Sequence, residues 1–159
     1  MAENSTRIQL KISGDGDVKK MLHNLGLTVT DLRPAMQDTG KYLTKFFAGE
    51  VFASRGQIIG EPWQRLSEPY ASRKAKLYRK GVLVATGAMQ KSFHYATTNT
   101  SVTITNDDPK FRYHQSDEPR SKIPRRVMMK LVDNDARYEM IVAIIARRLS
   151  DTIAKNGGA

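Results

Sequence analysis

The side chains suited to catalysis or metal binding are few, and their spacing is poor. Three histidines occur, His23, His94 and His114. None stands in the H-x-x-x-H or H-E-x-x-H spacing that sets two imidazoles on one helical face for zinc. Asp107-Asp108, with His114 following, comes closest to a metal-dependent hydrolase, where paired carboxylates hold a cation that activates water. Adjacent acids after a strand are more often turn formers, because their carboxylates bond backbone N–H groups two residues on. Ser13-Gly14-Asp15-Gly16-Asp17 echoes a calcium loop but lacks the downstream glutamate. Gly49 and Gly56 begin no phosphate-binding Gly-Lys-Ser/Thr loop, and Gly81 and Gly87 make no dinucleotide fingerprint. Without cysteine there is no disulfide and no thiolate site. The expectation is a non-enzymatic protein with no catalytic residue, no metal and no cofactor; a small metal-dependent hydrolase ranks third.

Nucleic-acid binding is the stronger chemical alternative. The chain carries 26 Lys+Arg against 16 Asp+Glu, a net charge of +10, and such an excess favours polyanionic partners. The segment 70–80 interleaves two tyrosines with five cations, suited to phosphate contacts with aromatic stacking. On a helix, Arg73, Lys76 and Lys80 line one side and are the candidate phosphate contacts, while Lys74 and Leu77 point elsewhere. Tyr70 and Leu77 can equally be the buried edge of an amphipathic turn with the cations merely hydrated, and that reading is preferred. No run of five or six like charges is present, and charge alone leaves the partner open.

The elements that must position these residues follow from periodicity. Residues 7–12 alternate polar and apolar, as a half-buried strand does, and Ser13-Gly14-Asp15-Gly16 ends them. A short helix is expected over 17–25. A long helix is expected over 31–53, capped by Thr30 or Asp31, with Pro34 in its first turn. Leu32, Met36, Leu43, Phe47 and Val51 share one face, Phe46 widens it, and Phe52 falls on the opposite side. Residues 54–70 read as a loop holding Trp63, and 71–79 as a short basic helix. Residues 92–97 and 102–105, with Asn99-Thr100 between, predict a hairpin. Residues 106–123 read as an extended loop. A last helix runs to about Lys155, capped by Asp133 or Asp135. Its core face is Tyr138, Ile141, Val142, Ile145, Leu149 and Ile153. Met140 and Ile144 form a second stripe, which either covers another surface or packs under a loop of the same chain. The fold class is α+β: a small antiparallel sheet packed by two long helices, including the C-terminal one. A single domain over 7–155 is expected, with tails at 1–6 and 156–159. No signal peptide and no stretch of the ~20 apolar residues a membrane span needs is apparent, so no membrane partner is expected.

From Phe52 onward about half the chain resembles the phage virion morphogenesis (tail completion) family of Mu-like and related tailed phages. The resembling pieces come in order: Phe52; Gly60-Glu61-Pro62-Trp63-Gln64-Arg65-Leu66; Tyr70 and Lys74; Leu83-Val84-Ala85-Thr86-Gly87-Ala88-Met89-Gln90-Lys91-Ser92-Phe93; Tyr113-His114-Gln115; and Ile123-Pro124-Arg125-Arg126. Two departures stand out. Tyr113 abuts His114 without the usual spacer, and Ser116 replaces a glycine.

The resemblance implies a structural virion protein, a tail-completion or neck (head–tail joining) component forming a homo-oligomeric ring, with a hexamer expected from tail symmetry. The partners it implies are further copies of the chain, other neck, connector or tail proteins, and genomic DNA passing through the lumen. Its place would be the virion neck or tail end, after assembly in the host cytoplasm. A basic DNA-binding protein without sequence preference is the alternative. Within this reading Trp63, Thr86, Gly87 and Pro124 are structural anchors. Met140, Ile144, His114, Gln115, Arg125 and Arg126 are the candidate interface residues.

Overall fold

The computed structural model describes residues 7–11, 32–78, 81–119, 121–132 and 136–156. The expected helix over 17–25, the caps Thr30, Asp31, Asp133 and Asp135, both expected tails apart from Asn156, and His23, Arg79 and Lys80 lie outside these residues. The elements are β1 (Arg7–Lys11), α1 (Arg33–Lys45) continued by a π-helical turn (Phe46–Glu50) and α2 (Val51–Ala53), a 3₁₀ turn (Gln57–Ile59), α3 (Glu68–Tyr78), α4 (Ala88–Lys91), β2 (Phe93–Thr97), β3 (Ser101–Asn106), α5 (Phe111–Gln115) and α6 (Ala136–Asn156). The strands hydrogen-bond in the order β1-β3-β2, and β2 and β3 form an antiparallel hairpin. The fold is α+β.

The long helix forms where its apolar spacing requires it, and Leu32, Met36, Leu43, Phe46, Phe47 and Val51 are all buried. Phe52, expected on the far side, is buried too. The cause is the π turn, in which the Val51 N–H reaches back five residues to the Phe46 carbonyl. One extra residue in a turn rotates everything after it by ~100°, which brings Phe52 round to the core. The helix then stops in a Schellman arrangement: the Gly56 N–H bonds Val51 O at 2.9 Å and the Arg55 N–H bonds Phe52 O at 3.2 Å. Arg55 accordingly takes a left-handed φ of 53°. At Gly56 (φ 78°) any Cβ would sit 2.1 Å from Glu61 O and 2.5 Å from Trp63 Nε1, so only glycine fits.

By contacts the chain divides into two compact units. The described residues within Thr44–His94 and Thr105–Lys130 belong to the first. Its core is aromatic. Phe52 meets Trp63 edge-on at 5.2 Å, Phe93 meets Phe111 edge-on at 5.5 Å, and Phe47 stacks on Phe93 at 6.3 Å; offset and edge-on pairs suit the ring quadrupoles. Ile59, Met89, Val127, Met128 and Met129 complete it. Buried Asn106 donates to Met89 O at 2.8 Å.

The described residues within Gln9–Leu43, Tyr95–Ile104 and Leu131–Ala159 belong to the second unit. Leu32, Ala35, Met36, Thr39, Leu43, Val102, Ile104 and Ile141 are buried there. Gly40 lets the Tyr95 ring approach α1; a Cβ at that position would lie 2.4 Å from the ring. Helix α6 is tied to α1 by Arg148, whose Nε and Nη2 lie 2.7 and 2.5 Å from Asp38 Oδ2. The expected core stripe of α6 requires correction. Only Ile141 is buried; Tyr138, Val142 and Ile153 are exposed, and Ile145 and Leu149 half-buried. The periodicity is that of an amphipathic helix, but most of its apolar stripe is left exposed or half-buried.

Candidate functional site

The described part of the segment 70–80, residues 70–78, does not fold as the amphipathic turn expected of it. On α3, Tyr70, Leu77 and Tyr78 are exposed, Leu77 by 69 %, and Lys74 is the residue that goes inside, at 6 % exposure. Its ammonium donates to Gly81 O at 2.8 Å. Arg126 is equally buried at 6 %, and its Nε and Nη2 both donate to Gln64 O, at 3.2 and 3.1 Å. The two cations line one cleft of about 610 Å³ with Tyr70, His114 and Ile123. No described carboxylate pairs with either. Burial pushes the Lys74 ammonium below its usual pKa, and the Arg126 charge pushes it further. Burial also lowers Arg126, against which Tyr70 acts in the opposite direction. Arg73 and Lys76, by contrast, remain on the exposed side of α3, with Arg73 over the Tyr70 ring at 5.6 Å.

The loop expected over 106–123 contains α5 and is held by side-chain bonds to backbone. Asn106 Oδ1 accepts from Asp108 N, and Asp108 Oδ1 from Lys110 N, so Asn106 and Asp108 start the turn. Asp107 instead lies 3.4 Å from His94 Nδ1, both side chains being largely exposed. Gln115 clamps the extended segment that follows the loop: its Oε1 accepts from Met128 N (2.9 Å) and Met129 N (3.0 Å), and its Nε2 donates to Met129 O (2.6 Å). The Arg126 N–H bonds His114 O at 3.0 Å. The candidate interface residues therefore sit in different surroundings. The polar groups of Gln115 and Arg126 bond within the chain and His114 is half-buried, whereas Arg125 faces outward, paired with Asp117.

Among the anchors, Trp63 is buried and donates its indole N–H to Val127 O at 2.7 Å. Thr86 Oγ1 accepts from Ala88 N at 3.3 Å and Gly87 takes φ 82°, opening α4. Pro124 is half-buried beside Arg126 in the cleft wall. On α6, Met140 is 47 % exposed and Ile144 half-buried. They flank a shallow cleft of about 450 Å³ with Asp38 and Arg148. Among the described residues no group of three or more acidic or histidine side chains could hold a metal, and no helix is long and apolar enough to cross a membrane.

The sequence profile of the phage virion morphogenesis family matches residues 14–150. The chain belongs to that family. The match extends well beyond the half that its motifs alone suggest. No curated protein and no solved structure matches the chain significantly. As a virion morphogenesis protein it has a structural or assembly role in the phage particle. The resembling motifs have a physical meaning in this light. Trp63, Gly87, Gln115 and Arg126 each fix a backbone turn or crossing in the first unit, so they encode architecture. Nothing in the sequence signalled the inward turn of Lys74, because lysine by type favours the surface.

Proposed function

We propose that this virion morphogenesis protein is a tail-completion or neck subunit that assembles into a homo-oligomeric ring, six copies being the number that tail symmetry favours. One observation carries the reading. Helix α6 leaves Tyr138, Met140, Val142 and Ile153 exposed by between 37 and 50 % along one element. Apolar side chains concentrated on a helix of an assembly protein call for a covering partner. Ring contacts are heterologous, so two different patches must match. Met140 and Ile144 belong to one; the outward Arg125 belongs to the other. Nothing in the reading requires a chemical step.

The test is a lysate lacking the protein. It should hold DNA-filled heads and unattached or abnormally ended tails, with few infectious particles. Adding purified protein should restore infectivity in proportion to the molecules added, saturating near one ring per particle. Rescue by far fewer molecules than particles, abolished by substituting His94 or Asp107, would mean turnover and end the structural reading.

A further inference from the structure

The cleft over Lys74 and Arg126 is an unusual thing for a protein to build without a use. Two cations 6 % exposed share one wall, Arg65 and Lys122 line the same cleft, and no described carboxylate pairs with Lys74 or Arg126. Burying like charges together is unfavourable twice over, through lost hydration and through repulsion in a medium that screens poorly. Their protein contacts leave hydrogen-bonding capacity. A guanidinium has five N–H and an ammonium three; Arg126 uses Nε and Nη2 on Gln64 O, and Lys74 makes one bond, to Gly81 O. The Gln64 carbonyl also fixes the plane of the guanidinium, which prepares it for a planar acceptor.

We propose that this cleft is a carboxylate-binding site, which takes Asp or Glu side chains from an acidic segment of a neighbouring virion protein. The geometry favours a peptide over DNA. A duplex presents its phosphates on a broad convex surface, met by exposed cations such as Arg73 and Lys76, whereas Lys74 and Arg126 are recessed. The mouth is apolar and open, with Ile123 50 % exposed and Leu66 and Leu83 beside it, which suits the backbone and aliphatic stems of a peptide. A second copy fits poorly, since the chain is itself strongly basic at +10. The site names a partner for the assembly role above, yet it does not depend on the ring.

The experiment uses the free full-length protein, with binding and melting temperature measured against a short Glu-rich peptide, its Gln counterpart, inorganic phosphate and a DNA duplex. The Glu peptide should bind saturably and raise the melting temperature, and the Gln peptide should do neither. Lys74→Met should weaken peptide binding by on the order of thirtyfold, the lower range for removing one partner of a buried charge contact, while melting at or above the wild-type temperature. Ile123→Asp, at the exposed mouth, should fold normally and also weaken it. Lys76→Ala, outside the cleft, should bind as the wild type. Failure of the Glu peptide to bind, equal loss in Lys76→Ala, or phosphate binding as tightly as the peptide would each overturn the proposal. So would duplex binding, or self-association, that Lys74→Met abolishes. The ring itself is tested separately, by the effect of Met140→Asp on the assembled form.

Discussion

The indole N–H of Trp63 donates to the carbonyl of Val127 at 2.7 Å, across 64 positions of sequence. That bond pins a proline-bearing loop to the segment that carries Arg126, and the Phe52 ring packs edge-on against the indole from the end of the long helix. Trp63→Ala removes the ring and the bond together. The expected loss is about 3–5 kcal/mol, enough to threaten a domain of ordinary stability. Trp63→Phe keeps most of the volume but strands a buried carbonyl, for about 1–3 kcal/mol. Urea denaturation of both variants checks the order; a Trp63→Ala protein that melts like the wild type would show the loop to be peripheral.

Gly56 and Gly60 separate two effects that are usually confounded. Both have left-handed φ, 78° and 71°, but a Cβ at Gly56 collides with Glu61 O and the indole while one at Gly60 meets nothing within 4 Å. Gly60→Ala should lose about 1–2 kcal/mol, the strain of a left-handed alanine. Gly56→Ala should lose clearly more and loosen the Trp63 environment, visible as a red-shifted tryptophan emission.

Helix α6 supplies the test of assembly. Met140→Asp, and Ile144→Asp beside it, should leave helicity and melting of the free subunit nearly unchanged and abolish the oligomer, because a buried unpaired charge is strongly unfavourable at a contact. Sedimentation at high concentration or on the assembled form reads the outcome. Loss of helicity in the subunit would instead assign both side chains to its own core.

Lys74 makes stability depend on pH in a defined direction. Its pKa is lowered in the folded protein from 10.5, so the unfolded chain binds its proton more tightly. Between the folded value and 10.5 the unfolded state therefore holds more protons, and this group's contribution to stability rises with pH. Lys74→Met has no such proton to lose. Its advantage over the wild type in urea midpoint should be largest at neutral pH and shrink as pH climbs towards 10.5. A difference that is constant with pH would mean that Lys74 titrates as if solvated.

Salt separates assembly from DNA binding. With Arg126 and Lys74 recessed, the exposed cations Arg73 and Lys76 remain on α3. The free subunit should bind duplex DNA weakly and without sequence preference at physiological salt, with a log–log salt slope of about 0.9 per phosphate contacted. Tight, sequence-selective binding at that salt would favour the DNA-binding reading.

What the sequence determined by itself is what repeats locally or is tied to residue type. The 3.6-residue apolar rhythm predicted the long helix, and the β-branched runs predicted the hairpin. The histidine and acid spacings offered no metal motif, and one tryptophan among prolines and glycines pointed to an anchor. Tertiary structure decided the rest, because it depends on groups far apart in the chain. Phe52 is buried because a π turn, invisible to a rigid 3.6 period, rotates it into place. Gln115 is a clamp because Met128 and Met129 present free backbone groups to it. The stripe on α6 is half uncovered because periodicity marks which face is apolar but not how much protein lies opposite. Lys74 turns inward although lysine is a surface residue by type: the Gly81 carbonyl, Arg126 and the cleft wall come together only when the chain has folded, and burial of a charge is settled by those neighbours.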